Sequence, residues 1–429
     1  MTNKSVNIIG GGLAGCEAAL YLSARGINVN LFEAKPTWRS AAHKSDNLSE
    51  IVCSNSLKSV LPSTASGALK NELAHLDCSL LKIAHECAVP AGGALAVDRD
   101  AFSSRVTDAV KACGNINIIN ETVGRFDTDS LTLVCAGPVC HDSLASYIAE
   151  LTGEQSLSFF DAAAPIITAE SVDMDSAFFA ARYGKGGDDY LNCPMTKDEY
   201  LAFYDALIHA ERAKDEVTGV FEGCMPVEVM AARGVDALRY GPLRPVGFDK
   251  KYYAVLQLRK ENTLSTLYNL VGFQTNLKFG EQKRVFSMIP ALKNMEIVRY
   301  GVMHRNTFIN APKALNSDLR LKNYPNVFIA GQLCGVEGYV ESIATGLIAA
   351  ANAERLISGK ETVIPPENTI IGALLRFIST PNADFQPMNA NFGILPPIAG
   401  GKKADRKLAY YNRSDAAMSD FVKNVLTAA

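Results

Sequence analysis

A short apolar strand, a glycine turn and a helix open this 429-residue chain, and the same succession returns near its end, with a different pattern between. These three observations predict an α/β fold: a discontinuous dinucleotide-binding domain of the Rossmann type, residues 1–160 and 320–429, carrying an inserted α+β domain over 161–319.

The opening unit is the strongest of the three. Val6–Ile9 is apolar and β-prone, and Gly10, Gly12 and Gly15 follow with G-x-G-x-x-G spacing. Gly10 permits the tight turn, Gly12 lets a pyrophosphate approach the backbone, and Gly15 lets helix and strand pack closely. Gly11, Leu13 and Ala14 complete the stretch that faces the cofactor, and the helix N-terminus is aimed at its phosphates. The helix buries Ala18, Ala19, Leu20 and Leu22 and stops at Arg25-Gly26. Asn28–Phe32 is a second strand, with Glu33 at its end, where an acid grips a ribose hydroxyl. A motif at the extreme N-terminus suits an FAD-binding fold, in which this unit comes first.

Bulk composition narrows the function. A net charge of −3 gives no global basic field, so a nucleic-acid partner must be held by a local patch. No apolar run reaches the length of a membrane span. Met1–Ser5 leads straight into the first strand, without the pattern of a signal peptide. The ten cysteines include no C-x-x-C pair and read as reduced thiols of a cytoplasmic protein. The six histidines are scattered, and nothing has metal-ligand spacing.

Lys35–Ser49 reads as a loop, and Cys53 follows among small polar residues in Val52-Cys53-Ser54-Asn55-Ser56. On its own it is more readily a buried structural thiol than a reactive one. Leucine periodicity predicts a helix over Gly67–Glu86, then a turn and short strand over Val89–Asp98, and a helix over Arg99–Cys113. Ile116–Ile119, Gly124–Asp127 and Leu131–Val134 are predicted strands, and Asp142–Leu151 a helix. Asp161–Pro165 reads as a crossing between domains. A helix is expected to start within Asn192–Lys197 and run to about Lys214, with Thr196 and Glu199 as a capping box. Val217–Glu222 is strand-like and ends at Gly223-Cys224-Met225-Pro226, a rigid turn suited to displaying a thiol or to packing one. Tyr252–Arg259 and Thr266–Phe273 alternate as strands, and Gly280–Met288 is helical.

Asn326–Ile329 then repeats the opening logic: an apolar strand ends at Gly331, and Glu341 and Ser342 begin an alanine-rich helix to about Leu356. From Gly359 the chain reads as a proline-rich segment and a basic tail. In that tail Lys402, Lys403, Arg406, Lys407 and Arg413 mix with Tyr410 and Tyr411, the composition either of a phosphate- and base-binding segment or of a solvated helix face.

Several stretches together resemble one family, the FAD- and folate-dependent tRNA (uracil-54-C5-)-methyltransferases. They are Ile51–Leu57, Val89–Asp98, Tyr190–Thr196, Phe221–Pro226, Tyr268–Thr275, Gly301–Thr307, Gly335–Ser342 and Pro387–Gly393, so the resemblance runs along nearly the whole chain. Lys35, Lys44, Lys58 and Val60 depart from the family's usual residues and bear on substrate contacts more than on chemistry. The resemblance implies a glutathione-reductase-like FAD domain and a cytoplasmic enzyme that methylates carbon 5 of a T-loop uridine. The methylene would come from 5,10-methylenetetrahydrofolate and be carried on reduced FAD, with NAD(P)H as reductant. It implies that Cys224 adds to carbon 6 of the uracil and that Cys53, as thiolate, removes the carbon-5 proton. Lys58, His304 and Arg305 are the cations expected to lower the pKa of such thiols. The implied partners are the T-arm of tRNA and folate, with no membrane, metal or stable protein partner. A ribosomal-RNA uridine is the alternative substrate, and two other classes compete: a plain NAD(P)H–FAD oxidoreductase and a non-catalytic RNA-binding flavoprotein.

Overall fold

The computed structural model describes residues 5–40, 42–154, 157–184, 187–213, 225–383, 385–400 and 402–426. Its first sheet runs, in spatial order, Arg320–Leu321, Tyr324–Ile329, Thr132–Val134, Ser5–Ile9, Asn28–Glu33 and Ile116–Asn120. All neighbours are parallel except the first two. Val6, Ile8, Leu31, Leu133 and Phe328 are fully buried, as expected of strands covered on both faces. Ser5–Ile9 lies between a strand that follows it closely and one from much later in the chain. The crevice beyond the carboxyl ends of these strands is where a doubly wound sheet binds its ligand.

The helix Leu13–Ser23 packs on the helix Tyr339–Ile357. The approach is so close that a Cβ at Gly346 would collide with the Ala14 carbonyl. The opening and returning turns therefore face each other across one crevice.

A second buried core, containing Leu191, Phe203, Leu256, Phe273 and Phe286, belongs to an antiparallel sheet. Its order is Phe178–Phe179, Tyr190–Met195, Ala254–Lys260, Leu267–Leu270, Ile166–Thr168 and Ile297–Arg299. The helices Lys197–Ile208 and Phe279–Phe286 bury Tyr200, Phe203, Val285 and Phe286 in this core. Between the two cores the chain crosses twice, through Leu157–Ala162 and Met303–Phe308, and the crossings pair with each other antiparallel.

Several elements differ from the sequence expectation. The Gly67–Glu86 helix is two, Ala65–His75 and Ser79–Glu86, because Asp77 takes a left-handed φ of 59° between them. Gly124–Asp127 is not a strand: the Phe126 carbonyl accepts from the Tyr147 hydroxyl at 2.9 Å instead of joining a ladder. The expected helix begins at Lys197, with Thr196 as N-cap and the predicted Thr196–Glu199 capping box in place, and ends at Ile208, short of Lys214; Tyr190–Met195 before it is a strand. Pro194 is tolerated there because Phe178–Phe179 pairs only with Leu191 and Asn192, so nothing on that side needs its missing N–H. The proline-rich segment hides a helix, Ile370–Ser379, capped by Thr369 and by the fully buried Glu72 carboxylate, which accepts Ile370 and Ile371 N–H groups. The basic tail is a helix, Lys403–Phe421, and Tyr410 is not free to stack a base: it stacks on Phe392, and its hydroxyl accepts the Ile398 N–H. The expected strand Val217–Glu222 and Cys224 lie outside the described residues.

Candidate active site

The two glycine turns enclose a cavity of about 390 Å3. At its near end Gly10 has φ 107°, and a Cβ there would stand 2.5 Å from the Cys135 carbonyl oxygen. A Cβ at Gly15 would overlap the Gly10 carbonyl, so both positions are glycine because the protein's own backbone fills the space. At Gly12 a Cβ would meet nothing within 4 Å, and Gly12, Leu13 and Ala14 line the cavity. This open backbone at a helix N-terminus fits a pyrophosphate. Glu33 is buried and accepts the Gly11 N–H at 2.8 Å and the Lys35 N–H at 3.0 Å. Each carboxylate oxygen retains a second lone pair for a ribose hydroxyl. At the far end Gly331 has φ 74°, and its N–H donates to Thr345 Oγ1. Glu341 is buried in the first turn of the returning helix. Its Oε1 accepts Lys58 Nζ at 3.1 Å and the Ala390 N–H at 3.0 Å, while Oε2 has no partner among the described residues. Ser342 Oγ bonds back to the Gly338 carbonyl. An open backbone cradle, an acid at the ribose position and an orphaned carboxylate oxygen fit an extended dinucleotide such as FAD.

Cys53 stands on the wall of the same cavity. Its loop is held from several sides. Arg99 donates to the carbonyls of Ile51, Val52 and Cys53 and is paired with Glu261. Arg299 donates to the Val52 carbonyl at 3.0 Å. The Tyr339 hydroxyl accepts the N–H groups of Cys53 and Ser54. The thiol donates to Asp161 Oδ2 at 3.4 Å and lies 3.5 Å from His304 Nε2, and His304 Nε2 is 3.7 Å from Asp161 Oδ2. Among the described residues this is the only group of three such donors close enough to share one ligand, and their mutual contacts account for the arrangement.

The electrostatics correct one expectation. Burial, and next the Asp161 carboxylate, push the Cys53 thiol well above its ordinary value, so the resting group is a thiol, not a thiolate. Of the expected cations, only His304 reaches Cys53. Lys58 pairs with Glu341, and Arg305 is exposed on the opposite face of its strand. Asp161, Glu337, Tyr339, Arg99 and Arg299 were not singled out from the sequence. Asp161 and Arg299 lie in otherwise ordinary strands, while Glu337 and Tyr339 sat in view within the family-like Gly335–Ser342 stretch. Glu337 is pushed up to about 8, first by burial and then by Asp161.

Residues 5–361 match the family model described as glucose inhibited division protein A. Three relatives are named methylenetetrahydrofolate--tRNA-(uracil-5-)-methyltransferase TrmFO. That of Syntrophomonas wolfei is 51% identical over 99% of this chain and 100% of its own. That of Caldicellulosiruptor bescii is 54% identical over 90% and 91%, and that of Bacillus subtilis 48% identical over 99% and 100%. This chain belongs to the methylenetetrahydrofolate--tRNA-(uracil-5-)-methyltransferase family. The GidA structure of Aquifex aeolicus matches with a TM-score of 0.72, covering 100% of this chain and 75% of that one at 14% identity, which shows a shared fold. The fold is thus the FAD-binding Rossmann type that the family and the glycine turns require. No helix among the described residues is long and apolar enough to cross a membrane.

Proposed function

We propose that this chain methylates carbon 5 of the T-loop uridine at position 54 of tRNA, with 5,10-methylenetetrahydrofolate as one-carbon donor, FAD as cofactor and NAD(P)H as reductant. The observation that carries this reading is Cys53, a thiol on the wall of the cavity that begins at the dinucleotide cradle, in a chain of this family. FAD, when bound, supplies the carrier for the one-carbon unit and the hydride that completes the methyl group. Gly10–Gly15, Glu33, Gly331, Glu341 and Ser342 hold it. The division into a cofactor unit of 1–160 and 320–429 and an inserted unit of 161–319 belongs to the same reading; the two separate cores support two units, but Phe308, Ile309, Leu315 and Leu319 pack in the first core, which favours a return to the cofactor unit nearer residue 308.

Carbon 5 of uracil is a poor nucleophile until a thiolate adds to carbon 6 and leaves an enolate. Cys224 makes that addition, and Cys53 takes the carbon-5 proton before Cys224 is eliminated. The uridine must leave its stack to reach the cavity. The enzyme acts in the cytoplasm on the T-arm, with folate as its other partner.

The test supplies purified holoenzyme with methylene-labelled methylenetetrahydrofolate, NADPH, an unmodified tRNA transcript and a large-subunit ribosomal RNA fragment. Label in 5-methyluridine of the tRNA alone, abolished by Cys224→Ala, is expected. Label in the ribosomal fragment alone moves the substrate. NADPH oxidation without label in either RNA, or a fully active Cys224→Ala protein, overturns the mechanism.

A further inference from the structure

We infer that Cys53, His304 and Asp161 form a proton relay, in which His304 draws the proton from the Cys53 thiol while Asp161 positions the imidazole and balances its charge. The inference rests on the role proposed above for Cys53.

Topology brings the three together. Asp161 and His304 are direct register partners in the antiparallel pair made by the two chain crossings, so both side chains leave the ribbon on one face. That face lines the cavity opposite the loop that carries Cys53. Asp161 Oδ1 accepts the Ala162 N–H at 2.8 Å, which fixes the carboxylate and turns Oδ2 toward both the thiol and the imidazole. His304 and Asp161 both reach the sulfur: His304 is the base, while Asp161 accepts the resting S–H and faces the same imidazole nitrogen at 3.7 Å.

The chemistry requires such a group. A bare thiolate at Cys53 would sit beside Asp161, whose charge joins burial in holding the proton on sulfur. Transfer from Sγ to Nε2 breaks one S–H bond and forms one N–H bond, giving a thiolate–imidazolium pair with no change in net charge. The thiolate then takes the carbon-5 proton and becomes a thiol again, and the imidazolium releases its proton to water in the cavity. The other groups facing this pair are accounted for. Arg99 is paired with Glu261 and bonded to the loop carbonyls, Arg299 is bonded to the Val52 carbonyl, and the Tyr339 hydroxyl accepts two N–H groups. His43 lies nearby, neutral down to about pH 4, with Lys35 and Glu50 behind it. The rival is direct transfer from Cys53 to Asp161, which leaves His304 without a part.

The experiment alkylates FAD-loaded protein with iodoacetamide across roughly pH 6 to 10 and follows the Cys53 peptide by mass spectrometry. With the relay, His304→Gln loses at least about tenfold in Cys53 alkylation rate at neutral pH, and its midpoint rises by about one unit or more. His304→Ala behaves alike, and added imidazole restores alkylation in proportion to its neutral fraction. Retained flavin absorbance shows that each variant is folded. An unchanged profile in both variants, or loss in Asp161→Asn alone, overturns the relay. The readout needs neither folate nor RNA. A protein that shows the relay but methylates no RNA therefore fails the proposed function and not this inference.

Discussion

The opening and returning turns share one local plan, a buried strand, a glycine and a helix N-terminus, yet they differ in what surrounds the ligand. Around Gly10–Gly15 the backbone is locked by its own neighbours, and the one acid, Glu33, is bonded to two N–H groups. Around Gly331–Ser342 two carboxylates are buried, one protonated up to about pH 8 and the other with an oxygen that has no partner among the described residues. The first turn is built to hold a group without cost. The second keeps groups in states that a ligand or substrate can change.

The largest expected effect breaks the first turn. Gly15→Ala places a methyl on the Gly10 carbonyl, costing about 3 kcal/mol or more, and yields protein that purifies without flavin colour. Gly12→Ala meets no protein atom, so it leaves the melting temperature of the FAD-free protein unchanged. Its methyl intrudes only on the ligand, at about 1–3 kcal/mol, or roughly tenfold to a hundredfold in the Kd of FAD. Equal effects of the two substitutions would erase the distinction between a packed and a ligand-facing glycine.

The second turn is sharpened by pH. Glu337 keeps its proton to about pH 8 in the fold, whereas an unfolded chain releases it near the ordinary value of about 4.3. Stability therefore falls as pH rises between those two values and is level above about 8, with a slope of at most about 1.4 kcal/mol per unit. Glu337→Gln removes that slope, which thermal melts of the FAD-free protein across the range would detect.

The smallest effect lies on the cavity wall between the turns. His43 is pushed down to about 4 by burial and then by Lys35. An unfolded histidine gains its proton near pH 6.5, so stability is lost as pH drops from there to about 4, by about 1–2 kcal/mol for a half-buried ring. His43→Gln should flatten only this acid limb.

What could be seen in the sequence follows the same division. The glycine cradle is written in six consecutive residues because its causes are local: a turn, an open backbone, a helix end. The strand Tyr190–Met195 was misplaced because Pro194 reads as a strand breaker until the short reach of its neighbour Phe178–Phe179 is known, and the break at Asp77 because a left-handed residue leaves little trace in periodicity. Asp161 was passed over because its meaning depends on residues 108 positions before it, and His304 stood out only as a cation because its target thiol is 251 positions away. The thiol's raised pKa was illegible for a similar reason, since it arises from burial and from carboxylates that only the folded chain assembles.

The pairing of the two crossings also has a temporal side. The strand that carries Asp161 is synthesised long before the one that carries His304, and everything between them must fold and return before the two can meet. A nascent chain therefore exposes Cys53 with no base beside it. Such a thiol keeps the ordinary value of an exposed cysteine, about 8.5, and only the closing of the last crossing buries it beside Asp161 and within reach of His304. The paired crossings thus assemble the thiol with its histidine and aspartate only when the whole insertion is in place.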